Sequence, residues 1–239
     1  MLLSIKQQFK LQWDNLWQFA LIMLGMFVVG FIIVSVLVAT GVADTTATLA
    51  SLFAVLGLGF WFFGVGAQMS IGLNNGITMS RTRKGYLAAH YVVSLVYTVA
   101  QCVLMLLLFQ LDRLMLRTFF SHLELDVDFS VFFGWKVLLL VVVAGVVVAS
   151  FLGALLARYG KTAFWVLWAI WMFTFLVLPR ASEAAAESGN ATILGMIAIR
   201  VVEFFTSIPL STWKVLGGVG LVVCLISNFL LVRKTAVTN

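Results

Sequence analysis

Apolar residues in this chain gather into long blocks separated by short polar breaks, with neither strict alternation nor a narrow one-sided stripe. Six blocks stand out, at 18–40, 49–73, 87–111, 131–156, 162–178 and 213–232. A helix needs about 20 mainly apolar residues to cross a bilayer. In lipid the backbone must satisfy its own hydrogen bonds, so repeated blocks of this length predict a helical bundle. The expectation is an all-α fold: one transmembrane domain over 1–239 with six membrane helices.

The breaks carry patterns of their own. Ile5, Phe9, Trp13, Leu16 and Trp17 recur at helical spacing, with Lys6, Lys10 and Asp14 on another face. This describes an elbow helix over 1–17 lying in the interface; the plainer alternative is the wet end of one long first helix with tryptophan anchors. After the third block, Leu111, Leu114, Met115, Thr118 and Phe119 keep the helical period, which predicts an outer extension before Glu124, Asp126 and Asp128. Those acids read as solvated, ahead of a calcium site. The stretch 191–210 is almost long enough to span, yet holds Arg200 and Glu203 three apart on one helical face and ends at Pro209. A crossing there would invert the last helix and carry Arg233 and Lys234 away from the other cations. An outer re-entrant or interfacial helix is therefore predicted, with Arg200 and Glu203 paired or facing a wet cavity as a candidate outer gate.

Small residues mark close approach. The second block carries Gly57, Gly59, Gly64, Gly66 and Gly72, and the fourth carries Gly145, Ala149, Gly153 and Ala157 at steps of four. Such stripes let helices touch; packing within the bundle is the first reading, a subunit or partner interface the second.

Composition agrees with lipid as the solvent: 63% of the 239 residues are hydrophobic and 10% charged, so no charged surface is available to cover a soluble core. The net charge of +6 would suggest nucleic acid in a soluble protein, but its distribution reports topology, and no nucleic-acid partner is expected. With six spans, one side receives Lys6, Lys10, Arg81, Arg83, Lys84, Arg158, Lys161, Arg233 and Lys234 against the single acid Asp14. The other receives the remaining cations, Arg113, Arg117, Lys136, Arg180, Arg200 and Lys214, with the remaining acids. Since Lys and Arg in short loops favour the cytoplasm, both termini are placed there. Cys102 and Cys224 fall inside apolar blocks and read as small packed residues. No cleaved signal peptide is expected, because an amphipathic stretch precedes the first block.

Chemistry is sparse. The chain has no G-x-x-x-x-G-K-[ST], H-E-x-x-H or G-x-S-x-G motif and no Cys/His cluster, so no catalytic residue, metal site or cofactor of its own is expected. His90 and His122 lie far apart in the topology and read as structural. The six blocks hold no Asp or Glu, which argues against proton- or sodium-driven transport. Energy for any active movement is then expected from another polypeptide. The polar, basic loop 74–86 is the candidate to receive it, with Ser80 or Thr78 capping a short helix that carries Arg81, Arg83 and Lys84; a loop that merely fixes topology explains the charges equally well.

At this loop Asn75, Gly76, Ile77, Ser80, Arg81, Lys84 and Tyr86 form an N-G-[hydrophobic]-x-x-S-R-x-x-K-x-[aromatic] stretch that resembles the membrane subunit of bacterial ABC-2 type exporters. The likeness extends over the chain as an order of elements: elbow, six spans, coupling helix after the second, outer re-entrant helices before the sixth. It implies a half-transporter of the bacterial cytoplasmic membrane, a permease in which two membrane subunits, identical or related, sit on two cytoplasmic ABC ATPases that bind Mg-ATP. Thr78, Ser80, Arg81, Arg83 and Lys84 would dock the ATPase. The implied cargo is an amphipathic peptide, drug or lipid, which the aromatic runs Phe60–Phe63 and Trp165, Trp168, Trp171, Phe173 and Phe175 would suit, although lipid-facing aromatics are the commoner reason for such runs. Two other readings stand beside it. One is the substrate-binding subunit of an energy-coupling-factor vitamin importer, which would use the stripe from Gly145 to Ala157 against its partner. The other is a non-transport membrane immunity or assembly protein.

Overall fold

The structure is a computed structural model that describes residues 2–41, 45–78, 82–121, 124–127, 130, 133–177, 179–180, 196, 200–201, 203–204 and 207–234. Helix α1 (Leu2–Ala39) is followed by strand β1 (Thr45–Ala47), α2 (Leu49–Thr78), α3 (Arg83–Phe119), strand β2 (Glu124–Val127), α4 (Trp135–Tyr159), α5 (Lys161–Met172) and α6 (Leu210–Lys234). Five of these helices are long and apolar enough to cross a membrane, over Ile5–Ala39, Leu49–Leu73, Arg83–Phe119, Trp135–Tyr159 and Ser211–Arg233. The chain is thus a helical membrane protein. The expected span 162–178 is represented by α5 and one π-helical turn, Phe173–Val177, and α5 has no buried residue.

The first correction concerns the elbow over 1–17. It is continuous with the first span, a single helix of 38 residues, about 57 Å long at 1.5 Å per residue. No proline interrupts it, and its amphipathic half finds partners on α3. The Tyr97 hydroxyl donates to the Phe9 carbonyl at 2.8 Å and Gln101 Nε2 donates to the Leu16 carbonyl at 2.9 Å. Gln8 and Gln12 are buried along the same helix, whereas Trp13 and Trp17 are exposed. Further along, Phe31 packs edge-on to Phe119, so α1 and α3 run side by side in the same direction.

The second correction concerns the loop 74–86. Helix α2 continues to Thr78 and α3 starts at Arg83, so residues 74–78 and 83–86 of the expected loop belong to the two long helices. Thr82 caps α3, a residue that the expectation of Ser80 or Thr78 did not include. Its backbone is extended (φ −70°, ψ 140°) and its hydroxyl accepts the Gly85 N–H at 3.2 Å, which satisfies one of the donors a helix start leaves open. Met79, Ser80 and Arg81 lie outside the described residues.

A third difference is local β-structure in an otherwise helical chain. β1 pairs with β2 in parallel, Thr45 opposite Glu124, Thr46 opposite Leu125 and, after an irregularity, Ala47 opposite Val127. Strand pairing here supplies the backbone bonds that two extended segments would otherwise lack, and it ties the α1–α2 connection to the α3–α4 connection. The helical extension expected beyond residue 111 is present, since α3 runs to Phe119.

The stripe on α4 packs inside the chain. Ala149 and Gly153 lie against Gly66 of α2, and Gly145 lies against the Phe62 ring. Removing side chains from both faces lets the two backbones touch. Gly160 is the whole connection from α4 to α5. It takes φ +55°, donates its N–H to the Leu156 carbonyl at 2.9 Å, and accepts the Phe164 N–H on the far side; a side chain there would be strained.

The main core lies between α1, α2 and α3, with Met23, Phe27, Leu58, Trp61, Val65, Val93 and Met105 buried together. Trp61 is its polar anchor. Its Nε1 donates to Thr98 Oγ1 at 2.8 Å, and the Thr98 hydroxyl donates to the Ser94 carbonyl at 2.6 Å. Phe109 of α3 stacks on Phe133 with ring centres 4.1 Å apart, closing the end of the bundle from which α4 starts.

Candidate functional site

The inner face of α3 is more polar than a membrane helix requires. His90, Ser94, Thr98, Gln101 and Asp112 are all fully or almost fully buried and fall on one face at steps of three, four and their sums. Each meets a different neighbour. His90 Nε2 lies 3.0 Å from the Ser150 hydroxyl of α4, and its ring stacks near Tyr86 on one side and Tyr91 on the other. The Asn228 amide of α6 donates to the Tyr91 hydroxyl at 2.6 Å. The Tyr86 hydroxyl donates to the Gln68 carbonyl of α2 at 3.1 Å. Hydrogen bonds of this kind hold membrane helices together in a medium that offers few competing partners. The face thus works as a seam joining α1, α2, α4 and α6, consistent with a structural part for His90.

Asp112 corrects the expectation that the membrane helices carry no acid. It was placed one residue beyond the third block, but it is 1% exposed in the continuous α3. Its carboxylate accepts the Ser51 N–H at 3.0 Å and the Ser51 hydroxyl. Ser51 stands in the first turn of α2, where backbone N–H groups lack carbonyl partners and the helix dipole favours a negative charge. Asp112 therefore caps α2 from another helix.

The opposite end of the bundle is cationic. Arg83, in the first turn of α3, is half-buried and reaches across to the end of α6, where Nη1 donates to the Val232 carbonyl at 3.4 Å and to the Arg233 carbonyl. The last carbonyls of a helix lack partners and attract cations, so this contact caps α6. Lys84 and Arg233 are exposed beside it. Together with Leu87, Phe229 and Val232 these residues line a cavity of about 300 Å³.

Of the residues expected to contact an ATPase, Arg83 and Lys84 come together here with Arg233. Thr78 ends α2, and Ser80 and Arg81 lie outside the described residues. The contributions of Thr82 as cap and of Val232 and Arg233 as partners were not foreseen. The signal for Arg233 existed, because it already counted among the same-side cations. Arg200 and Glu203 occupy exposed helical positions, within a stretch that lies largely outside the described residues. Of the aromatic runs, Trp61 is buried in the core, whereas Phe63, Trp165, Trp168 and Trp171 face outward. No family model, curated protein or solved structure matches this chain.

Proposed function

We propose that the chain is the permease subunit of an ATP-driven exporter of the ABC-2 type, two membrane subunits working on two cytoplasmic ABC ATPases that hold Mg-ATP. The observation that carries this reading is the Arg83 contact. The junction between α2 and α3 is short, and the residue that opens α3 grips the end of α6. A partner pressing on this junction therefore moves three long helices at once, which a coupling point requires if a rigid movement outside the membrane is to reshape the bundle. In this reading the cationic end is cytoplasmic, and this chain carries no catalytic residue.

The course of the chain supports six crossings. α4 runs antiparallel to α3, as His90 lies by Ser150 and Phe109 by Phe133. α6 does the same, with Tyr91 by Asn228 and Arg83 by Val232. Both therefore end where α3 begins, and α6 starts at the far end. The stretch from Gly160 to Leu210 must carry the chain from one end to the other, and α5 with its π turn opens that passage. The outward-facing aromatics of α5 suit contact with lipid, a second subunit or an amphipathic cargo. The vitamin-importer reading loses its main feature, because Gly145, Ala149 and Gly153 are spent on α2 and Phe62.

The test is to purify the tagged chain from its native host in mild detergent, identify stoichiometric partners and assay ATP hydrolysis. An ABC-type ATPase is expected. Reversing the charges of Arg81, Arg83 and Lys84 together should abolish that association while leaving membrane insertion intact. A chain that purifies alone, or an association indifferent to the reversal, would refute the coupling assignment.

A further inference from the structure

We infer that the cavity between the first turns of α3 and the last turns of α6 binds the headgroup of an anionic phospholipid, with an acyl chain lying on its apolar wall. This rests on the membrane location of the bundle and not on any ATPase partner. The cavity is lined by Thr82, Arg83, Lys84, Leu87, Phe229, Val232 and Arg233; its wall is almost wholly apolar, so the three cations border it with their aliphatic stems, and no acidic side chain is among the described lining residues. The two sets are segregated by position. The cations belong to the terminal turns, Arg83 and Lys84 at the start of α3 and Arg233 at the end of α6, while Leu87 and Phe229 stand a turn further into the bundle. That order, charge at the end and hydrocarbon inward, is the order of groups in a phospholipid whose phosphate sits at the membrane surface.

Three features favour a phosphate at the charged end. Arg83 spends one guanidinium nitrogen on the α6 carbonyls, which leaves further donors of its planar fork for an anion. Lys84 and Arg233 are exposed and add point and fork charges. In the first turn of α3 the Gly85 N–H is taken by the Thr82 hydroxyl, while the Arg83 and Lys84 amides precede any carbonyl partner in their own helix and the dipole favours an anion. A free phosphate would gain nothing from the apolar wall. An acidic protein segment would leave Leu87 and Phe229 facing its polar backbone. An amphiphile satisfies both halves, and basic pockets between membrane helices are where anionic headgroups are held.

The full chain, purified in detergent, is titrated with phosphatidylglycerol and with phosphatidylcholine of identical acyl chains, and bound lipid is read by native mass spectrometry. Phosphatidylglycerol is expected to be retained preferentially. Lys84→Gln with Arg233→Gln should weaken that preference about fivefold per cation removed, roughly twenty-five-fold for the pair. Lys136→Gln with Lys214→Gln, at the opposite end of α4 and α6, should leave it unchanged. Both positions of the first pair are exposed, and either single variant gives the same readout if the double variant fails to fold. Equal retention of the two lipids, an undiminished preference in the Lys84 and Arg233 variants, or an equal loss from the remote pair would overturn the inference. Displacement of the lipid by millimolar inorganic phosphate would mark a bare anion site and overturn it as well.

Discussion

The contact between α2 and α4 makes a sharp prediction about one methyl group. A Cβ placed on Gly153 would overlap the Gly66 carbonyl and come within 2.8 Å of Met69 Cβ. Neither obstacle can rotate away, since one is backbone and the other is the first carbon of a side chain buried in the bundle. Gly153→Ala must therefore push the helices apart, losing dispersion contacts along the interface that the small residues create. Overpacking of this kind costs about 1–3 kcal/mol, a factor of about 5 to 150 in the unfolding equilibrium. Gly66→Ala should cost less, because its Cβ would meet the Ala149 carbonyl at 3.1 Å, a distance that a small shift relieves. Gly217→Ala on α6 has nothing within 4 Å, and should be neutral or stabilise by about 0.5–1 kcal/mol through backbone entropy alone. The three variants are compared by denaturant titration in one detergent, with helix content followed by circular dichroism. Equal stabilities for Gly153→Ala and Gly217→Ala would refute the close α2–α4 packing.

Other contacts yield smaller measurements of the same kind. Asp112→Ala should destabilise the chain by about 2–3 kcal/mol, and Ser51→Ala by about 1 kcal/mol, because the second variant keeps the backbone N–H bond to the carboxylate; a double-mutant cycle showing no coupling between them would remove the capping role. Thr82→Ala should cost about 1 kcal/mol and loosen the first turn of α3, read as faster amide exchange at Gly85; unchanged exchange would count against the cap. Trp61→Phe should cost about 1 kcal/mol more than packing alone when Thr98 is present and little more when Thr98 is valine.

Hydropathy made the helices legible because a bilayer reads composition over about 20 residues and little else. The Gly145–Ala157 stripe was legible for a related reason, since only a close neighbour makes four small residues at one spacing useful. What the sequence did not show are pairings between distant segments. Little in Thr45–Ala47 or Glu124–Val127 announces a strand, because each is very short, although Glu124–Val127 does alternate polar and apolar residues; the ladder joins the α1–α2 and α3–α4 connections. The cationic cavity was half legible: its charges were counted to one side, but the grip of Arg83 on α6 depends on helices far apart in sequence.

The missed helix boundaries share one cause. A polar residue at the edge of an apolar block looks like an exit from the membrane helix, so the first block was cut at residue 18, the second at 73 and the third at 87, whereas the run of α3 on to Phe119 was expected. Each helix runs on. Polar groups on facing helices satisfy one another, as Gln101 and Tyr97 do for the start of α1, Ser51 for Asp112, and Ser150 for His90. A polar residue with a partner costs far less to bury than the same residue alone. Reading each block singly therefore shortens helices most where the bundle is best bonded. The error was largest at the start of α1, which bonds to the polar inner face of α3, the face that joins the other helices as well.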